Sequence, residues 1–138
     1  MIRIRLKLGK IHHIGYVYQN VEQAVKKFKS LYGIEKFTWV DMGVVRVARS
    51  KIGKLQIDLI EPKEKNSIFN LFLEDGSVGL HHIGYLVDNI DEKIKEWKSK
   101  GFKKVLGGII SPAKFVYFDT MDIFGHITEF LQLNYKKS

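Results

Sequence analysis

The sequence predicts an α+β fold made of two tandem βαβββ modules that form one curved mixed sheet, with helices on its outer face and a concave, metal-centred cleft. Three observations lead there. A pentamer occurs twice, as His12-His13-Ile14-Gly15-Tyr16 and His81-His82-Ile83-Gly84-Tyr85. The match continues in register, with Asn20 answering Asn89, Val25 answering Ile94 and Phe28 answering Trp97. Further on, residues 56–61 lie over residues 127–132, so that Asp58 and Glu129 occupy equivalent places. A repeat of this length signals one supersecondary unit used twice, each copy too small to close a core alone.

The elements follow in order. Residues 11–18 are rich in β-branched and aromatic types and read as a strand. Alternation places His13, Gly15 and Val17 on one face and Ile14, Tyr16 and Tyr18 on the other, which supplies a core. Asn20 is an N-cap with Gln23 three residues on, and Val21, Ala24, Val25, Phe28 and Tyr32 keep helical spacing up to Gly33. Strands are expected near 36–41, 43–50 and 54–61, separated by turns at Gly43 and at Ile52-Gly53-Lys54. The first module thus spans about 10–62, and Pro62 ends it. A charged linker and a short amphipathic helix starting at Ser67 and stopping at Gly76 occupy about 63–78. The second module, about 79–134, repeats the order: a strand over 80–87, Asn89 capping a helix that runs to Gly101, and strands near 102–108, 113–119 and 126–133. Together these make one domain of 138 residues.

Composition narrows the function. There are no cysteines, so a metal would be held by His and carboxylate. The formal charge of +8 favours anionic partners. No zinc-finger spacing, aromatic RNA-binding signature or P-loop is present, so the charge reads as the rim of a site for a small anionic substrate rather than for nucleic acid. No apolar run approaches the ~20 residues that span a bilayer. The opening, Met1 to Lys7, alternates where a signal peptide would be continuously apolar. A cytoplasmic protein is expected.

The repeat pairs histidine with histidine and carboxylate with carboxylate. Four of the five histidines lie in the two pentamers. On the strand face opposite the core, the candidates for metal ligation are His13, Asp58, His82 and Glu129. His12 and His81 fall on the other face and read as structural groups or as supports for the ligands. Nitrogen and oxygen donors of this kind suit Co²⁺, Mn²⁺, Ni²⁺, Fe²⁺ or Zn²⁺, and leave positions open for a substrate that chelates through two oxygens.

Ile11-His12-His13-Ile14-Gly15, Leu59-Ile60-Glu61-Pro62, Gly79-Leu80-His81-His82-Ile83, and Gly125 followed by Glu129 together resemble the vicinal oxygen chelate superfamily, in its methylmalonyl-CoA epimerase and glyoxalase-like branch. The resemblance covers residues 10–133. It implies one divalent metal on His13, Asp58, His82 and Glu129, with Glu129 as a catalytic base, a CoA thioester as substrate, and a homodimer. Two departures stand out. Position 58 is Asp where the epimerases have Glu or Gln. Gly43-Val44-Val45 is followed by Arg46, where their second base would be a carboxylate. Asp41, Asp119 and His126, near strand ends, are substitutes for that base. Arg46, Arg49, Lys51, Lys54, Lys103, Lys104 and Lys114 are possible contacts for CoA phosphates, none of them individually assigned.

The leading expectation is therefore a metal-dependent acyl-CoA epimerase working through an enolate. The alternatives are a glyoxalase-type lyase acting on a thiol adduct of a 2-oxoaldehyde, and a non-enzymatic binder of a small ligand. A dioxygenase built on His13, His82 and Glu129 would be hindered by Asp58 as a fourth ligand.

Overall fold

The computed structural model describes residues 9–137; the alternating opening of the chain lies outside them. The elements run β1 (Ile11–Val17), α1 (Val21–Tyr32), β2 (Thr38–Asp41), β3 (Val45–Ile52), β4 (Leu55–Pro62), α2 (Ile68–Glu74), β5 (Gly79–Leu86), α3 (Ile90–Ser99), β6 (Lys104–Ile110), β7 (Ala113–Phe118), α4 (Met121–Phe124) and β8 (Ile127–Gln132). This is βαβββ twice, with α2 between the copies and one added helical turn, α4. Hydrogen bonds link the strands in the order β2-β3-β4-β1-β5-β8-β7-β6. The β1–β4 pair is parallel, and the pairs β2–β3, β3–β4, β6–β7 and β7–β8 are antiparallel, so the sheet is mixed as expected. Among the described residues no helix is long and apolar enough to cross a membrane.

The described residues cluster into two compact units, residues 13–83 and residues 84–137 with residues 9–12. In the first, α1 starts where Asn20 Oδ1 accepts from Gln23 N at 3.1 Å. Glu61 Oε1, from the end of β4, accepts from Val21 N at 3.0 Å and satisfies a second N-terminal donor. The helix stops at Gly33, which takes the left-handed conformation (φ 71°) and donates to Lys29 O. Its apolar face, Val21, Ala24, Val25 and Phe28, packs on Ala48, Ile57 and Leu59, with Tyr16 and Tyr18 alongside. Ile57 and Leu59 are fully buried, each contributing about 1.5–3 kcal/mol. Core and site are thereby separated: even-numbered residues of β1 and odd-numbered residues of β4 meet the helix, while His13, Gly15, Gln56 and Asp58 lie on the other face.

The second unit repeats the scheme. Asn89 Oδ1 accepts from Glu92 N at 3.1 Å, and Gln132 Oε1, from the end of β8, accepts from Ile90 N at 2.9 Å. Ile90 of α3 joins Val116, Phe118 and Phe130 in a core edged by Tyr85, Ile94, Trp97 and Phe102. Phe130 faces that core, so Glu129, its neighbour on β8, lies on the opposite face, across from Tyr117 of β7. The turn α4 has no counterpart in the sequence reading. Four residues are too few for a periodic pattern, and its start is held by Asp119 Oδ1 accepting from Met121 N at 3.1 Å.

Candidate metal centre

His13 and His82 are both buried, and their Nε2 atoms lie 3.2 Å apart with the rings edge to face. β1 presents His13 through its alternation. The ring of His82 fits because position 15 is glycine: a Cβ built there would overlap the His82 imidazole. Two nitrogens each ~2.1 Å from one ion are 3.2 Å apart when they subtend roughly 100° at it, so the pair has the spacing of neighbouring ligands. The donor set fits a divalent ion.

The other nitrogen of His82, Nδ1, lies 2.8 Å from Nδ1 of His81. His81 is 1% exposed. Phe69 and Phe72 of α2 flank it, with ring centroids 5.1 and 4.9 Å away. Burial pushes the His81 imidazole down to about 4, so it is neutral over the ordinary pH range. The short helix between the modules, read from sequence as a bridge, thus also walls in His81.

Asp58 sits on the same sheet face as His13 and Gly15, but its carboxylate is held by other groups. Arg49 Nε donates to Oδ1 at 2.8 Å and Nη2 donates to Oδ2 at 3.2 Å, a fork that occupies both oxygens. Gln56 Nε2 also donates to Oδ1, at 3.2 Å. The sequence reading missed Arg49 as this partner, although its own turn contained the signal. With Gly53 and Lys54 as the two turn residues, Ile52 pairs with Leu55, and counting outward along the hairpin sets Arg49 opposite Asp58. Glu129, in the second unit, is buried on the face of β8 turned away from α3.

Arg46 is turned towards α1. It donates to Glu22 Oε1 at 3.0 Å, and its guanidinium lies 4.2 Å from the centroid of Trp39. Val45 and Val47 share the face of Arg49, so the start of β3 offers no carboxylate on that face. The substitute bases have local roles. Asp41 accepts from Gly43 N and from Lys63, and those two partners hold its carboxyl below the usual range. Asp119 caps α4, while His126 Nδ1 donates to Ile127 O at 3.0 Å.

Two recesses carry four of the basic candidates, Arg49, Lys51, Lys104 and Lys114. A cleft of about 720 Å³ in the first unit is lined by Tyr32, Lys36, Thr38, Arg49, Lys51 and Gln56, among others. Gln56 pairs in register with His13, so the cleft adjoins the histidine's row on the sheet. A smaller recess of about 460 Å³ in the second unit includes Lys95, Lys104 and Lys114 beside Gly107 and Gly108.

Residues 12–118 match the family described as the Glyoxalase/Bleomycin resistance protein/Dioxygenase superfamily. Among curated proteins, the chain is 29% identical over 90 residues to YqjC of Bacillus subtilis, covering 64% of each chain. It is 27% identical over 95 residues to the mitochondrial methylmalonyl-CoA epimerase of Dictyostelium discoideum, covering 66% of this chain and 57% of that one. The chain therefore spans less than two thirds of the length of the curated relatives it matches. Among solved structures, a Streptomyces coelicolor methylmalonyl-CoA epimerase variant in complex with 2-nitronate-propionyl-CoA aligns with a TM-score of 0.77 at 24% identity, over 94% of this chain and 100% of that one. That likeness is one of fold.

Proposed function

As the chain belongs to the Glyoxalase/Bleomycin resistance protein/Dioxygenase superfamily, we propose that it is a divalent-metal-dependent epimerase of an acyl-CoA, with methylmalonyl-CoA as the first substrate to try. The observation that carries this reading is the buried pair of Nε2 atoms of His13 and His82, set 3.2 Å apart. Its support from outside the chain is the epimerase name of several relatives and the acyl-CoA analogue bound in the Streptomyces complex.

In this reading His13, His82 and Glu129 hold the ion, and Asp58 holds Arg49. A divalent ion bound there acts as a Lewis acid that stabilises the negative charge developing on a thioester carbonyl when the adjacent C–H loses its proton. The rest falls to the chain. The Glu129 carboxylate, once loosened from the ion, takes the α-proton. Return of a solvent-derived proton to the opposite face inverts the centre. Lys36 and Lys51, at the rim of the larger cleft, attract the phosphates of the carrier.

The test is proton NMR of methylmalonyl-CoA in D₂O with Co²⁺-loaded protein. The α-proton signal is expected to disappear, to persist with protein stripped by EDTA, and to decay ~10²–10⁴ times more slowly with Glu129→Gln. A protein that demonstrably holds Co²⁺ and exchanges no α-proton would sink the proposed substrate.

A further inference from the structure

Both ring nitrogens of His82 have a close nitrogen neighbour: Nε2 faces Nε2 of His13, and Nδ1 faces Nδ1 of His81 at 2.8 Å. Two imidazole nitrogens at that separation share a single proton, which one ring carries while the other offers its lone pair. Which ring carries it decides what His82 can do. A neutral imidazole that ligates through Nε2 has its proton on Nδ1, and the hydrogen bond made at one nitrogen sets the state of the other. With Nε2 of His82 as a ligand, the proton of the short contact belongs to His82, and Nδ1 of His81 is the acceptor.

We infer that His81 is a positioning residue whose Nδ1 lone pair fixes His82 in the Nδ1–H form and aims its Nε2 donor at the place faced by Nε2 of His13. The inference rests on the metal reading of this histidine pair and is independent of the substrate. Three features of the structure serve it. The His81 and His82 rings stand at 89° with centroids 5.0 Å apart, which lets the two Nδ1 atoms meet although the residues are adjacent in one strand. Phe69 and Phe72 close two sides of His81 and restrict its rotation. Gly15 leaves the space in which the His82 ring is seated. The helix α2 thus reaches the ligand through two aromatic rings and one imidazole.

The experiment combines long-range ¹H–¹⁵N NMR of the imidazoles in metal-free protein with Zn²⁺ calorimetry. Two variants are compared with the wild type: His81→Leu fills the volume without an acceptor, and His81→Asn brings an amide oxygen near the place of Nδ1. Thermal melts of the metal-free proteins establish that both variants are folded. The wild type is expected to show His82 protonated on Nδ1. His81→Leu is expected to lose that signature and to bind Zn²⁺ ~10–100 times more weakly, the usual range for a group that orients a ligand. His81→Asn should recover most of both. His82 protonated on Nε2 in a wild type that takes up Zn²⁺, or folded His81→Leu with wild-type affinity, would overturn the role of His81. A folded His81→Asn no better than His81→Leu would also overturn it. A wild type that takes up no Zn²⁺ would instead overturn the metal centre itself.

Discussion

The ring of His82 occupies the space that a side chain at Gly15 would fill, so the second copy of the repeated pentamer is seated on the glycine of the first. The glycine therefore serves packing, and the smallest possible addition should be felt. Gly15→Ala is expected to lower stability by about 1–3 kcal/mol, because the imidazole is fully buried and cannot step aside without strain. It should also weaken Zn²⁺ uptake. Urea unfolding and calorimetry read the two effects, and unchanged values in both would mean that His82 has room to move.

The Arg49 fork on Asp58 separates two roles for that carboxylate. If Asp58 anchors Arg49, Asp58→Asn keeps Co²⁺ affinity within about 10-fold of wild type, below the loss expected on removing a ligand. His13→Ala should abolish uptake under the same conditions. Arg49→Ala is expected to destabilise the fold by roughly 1–3 kcal/mol, since the buried carboxylate loses two charge-assisted hydrogen bonds. Loss of Co²⁺ from Asp58→Asn would return Asp58 to the ligand set.

Glu61 and Gln132 close the N-termini of α1 and α3 with the same hydrogen bond, made to Val21 N and to Ile90 N. Glu61→Ala and Gln132→Ala should each cost about 1 kcal/mol, the typical value of a capping bond. Urea midpoints check this. A cost in only one unit would mean that the equivalence is geometric and not energetic.

Burial raises the Tyr18 phenol to about 12, with Tyr16 and Tyr32 adding to the shift. The unfolded chain ionises this group near 10, so between pH 10 and 12 the unfolded state holds fewer protons than the folded one. Stability is then lost as pH rises through that window. Subtracting the absorbance titration of Tyr18→Phe from that of wild type at 295 nm should isolate a late phenolate step. A step near 10 would contradict the shift.

Much of this was legible because the repeat ties local signals together. Asn20 and Asn89 marked both helix starts, and alternation about His13 placed the histidine opposite the core. The Arg49 fork on Asp58 was harder to see, since it depends on hairpin register and not on either residue's own neighbourhood. Alternation set His81 on the opposite strand face as a structural group or a support for the ligands, and its ring turns to meet His82. The contacts that ring makes with Phe69 and Phe72 of α2 are not encoded in any strand pattern. The turn α4 was invisible for want of length.

The helix caps carry one more consequence, concerning how the two copies have drifted apart. At the start of α1 the carboxylates are Glu22 and Glu61; at the start of α3 they are Asp91 and Glu92, and the strand-end residue has become the uncharged Gln132. Each copy also ties one of its acids to a cation from the strand before its last, Glu22 to Arg46 and Asp91 to Lys114. Residue by residue the two starts differ, but each places carboxylates beside the positive end of its helix dipole. What both copies keep at these ends is acidic character, carried in each by different residues.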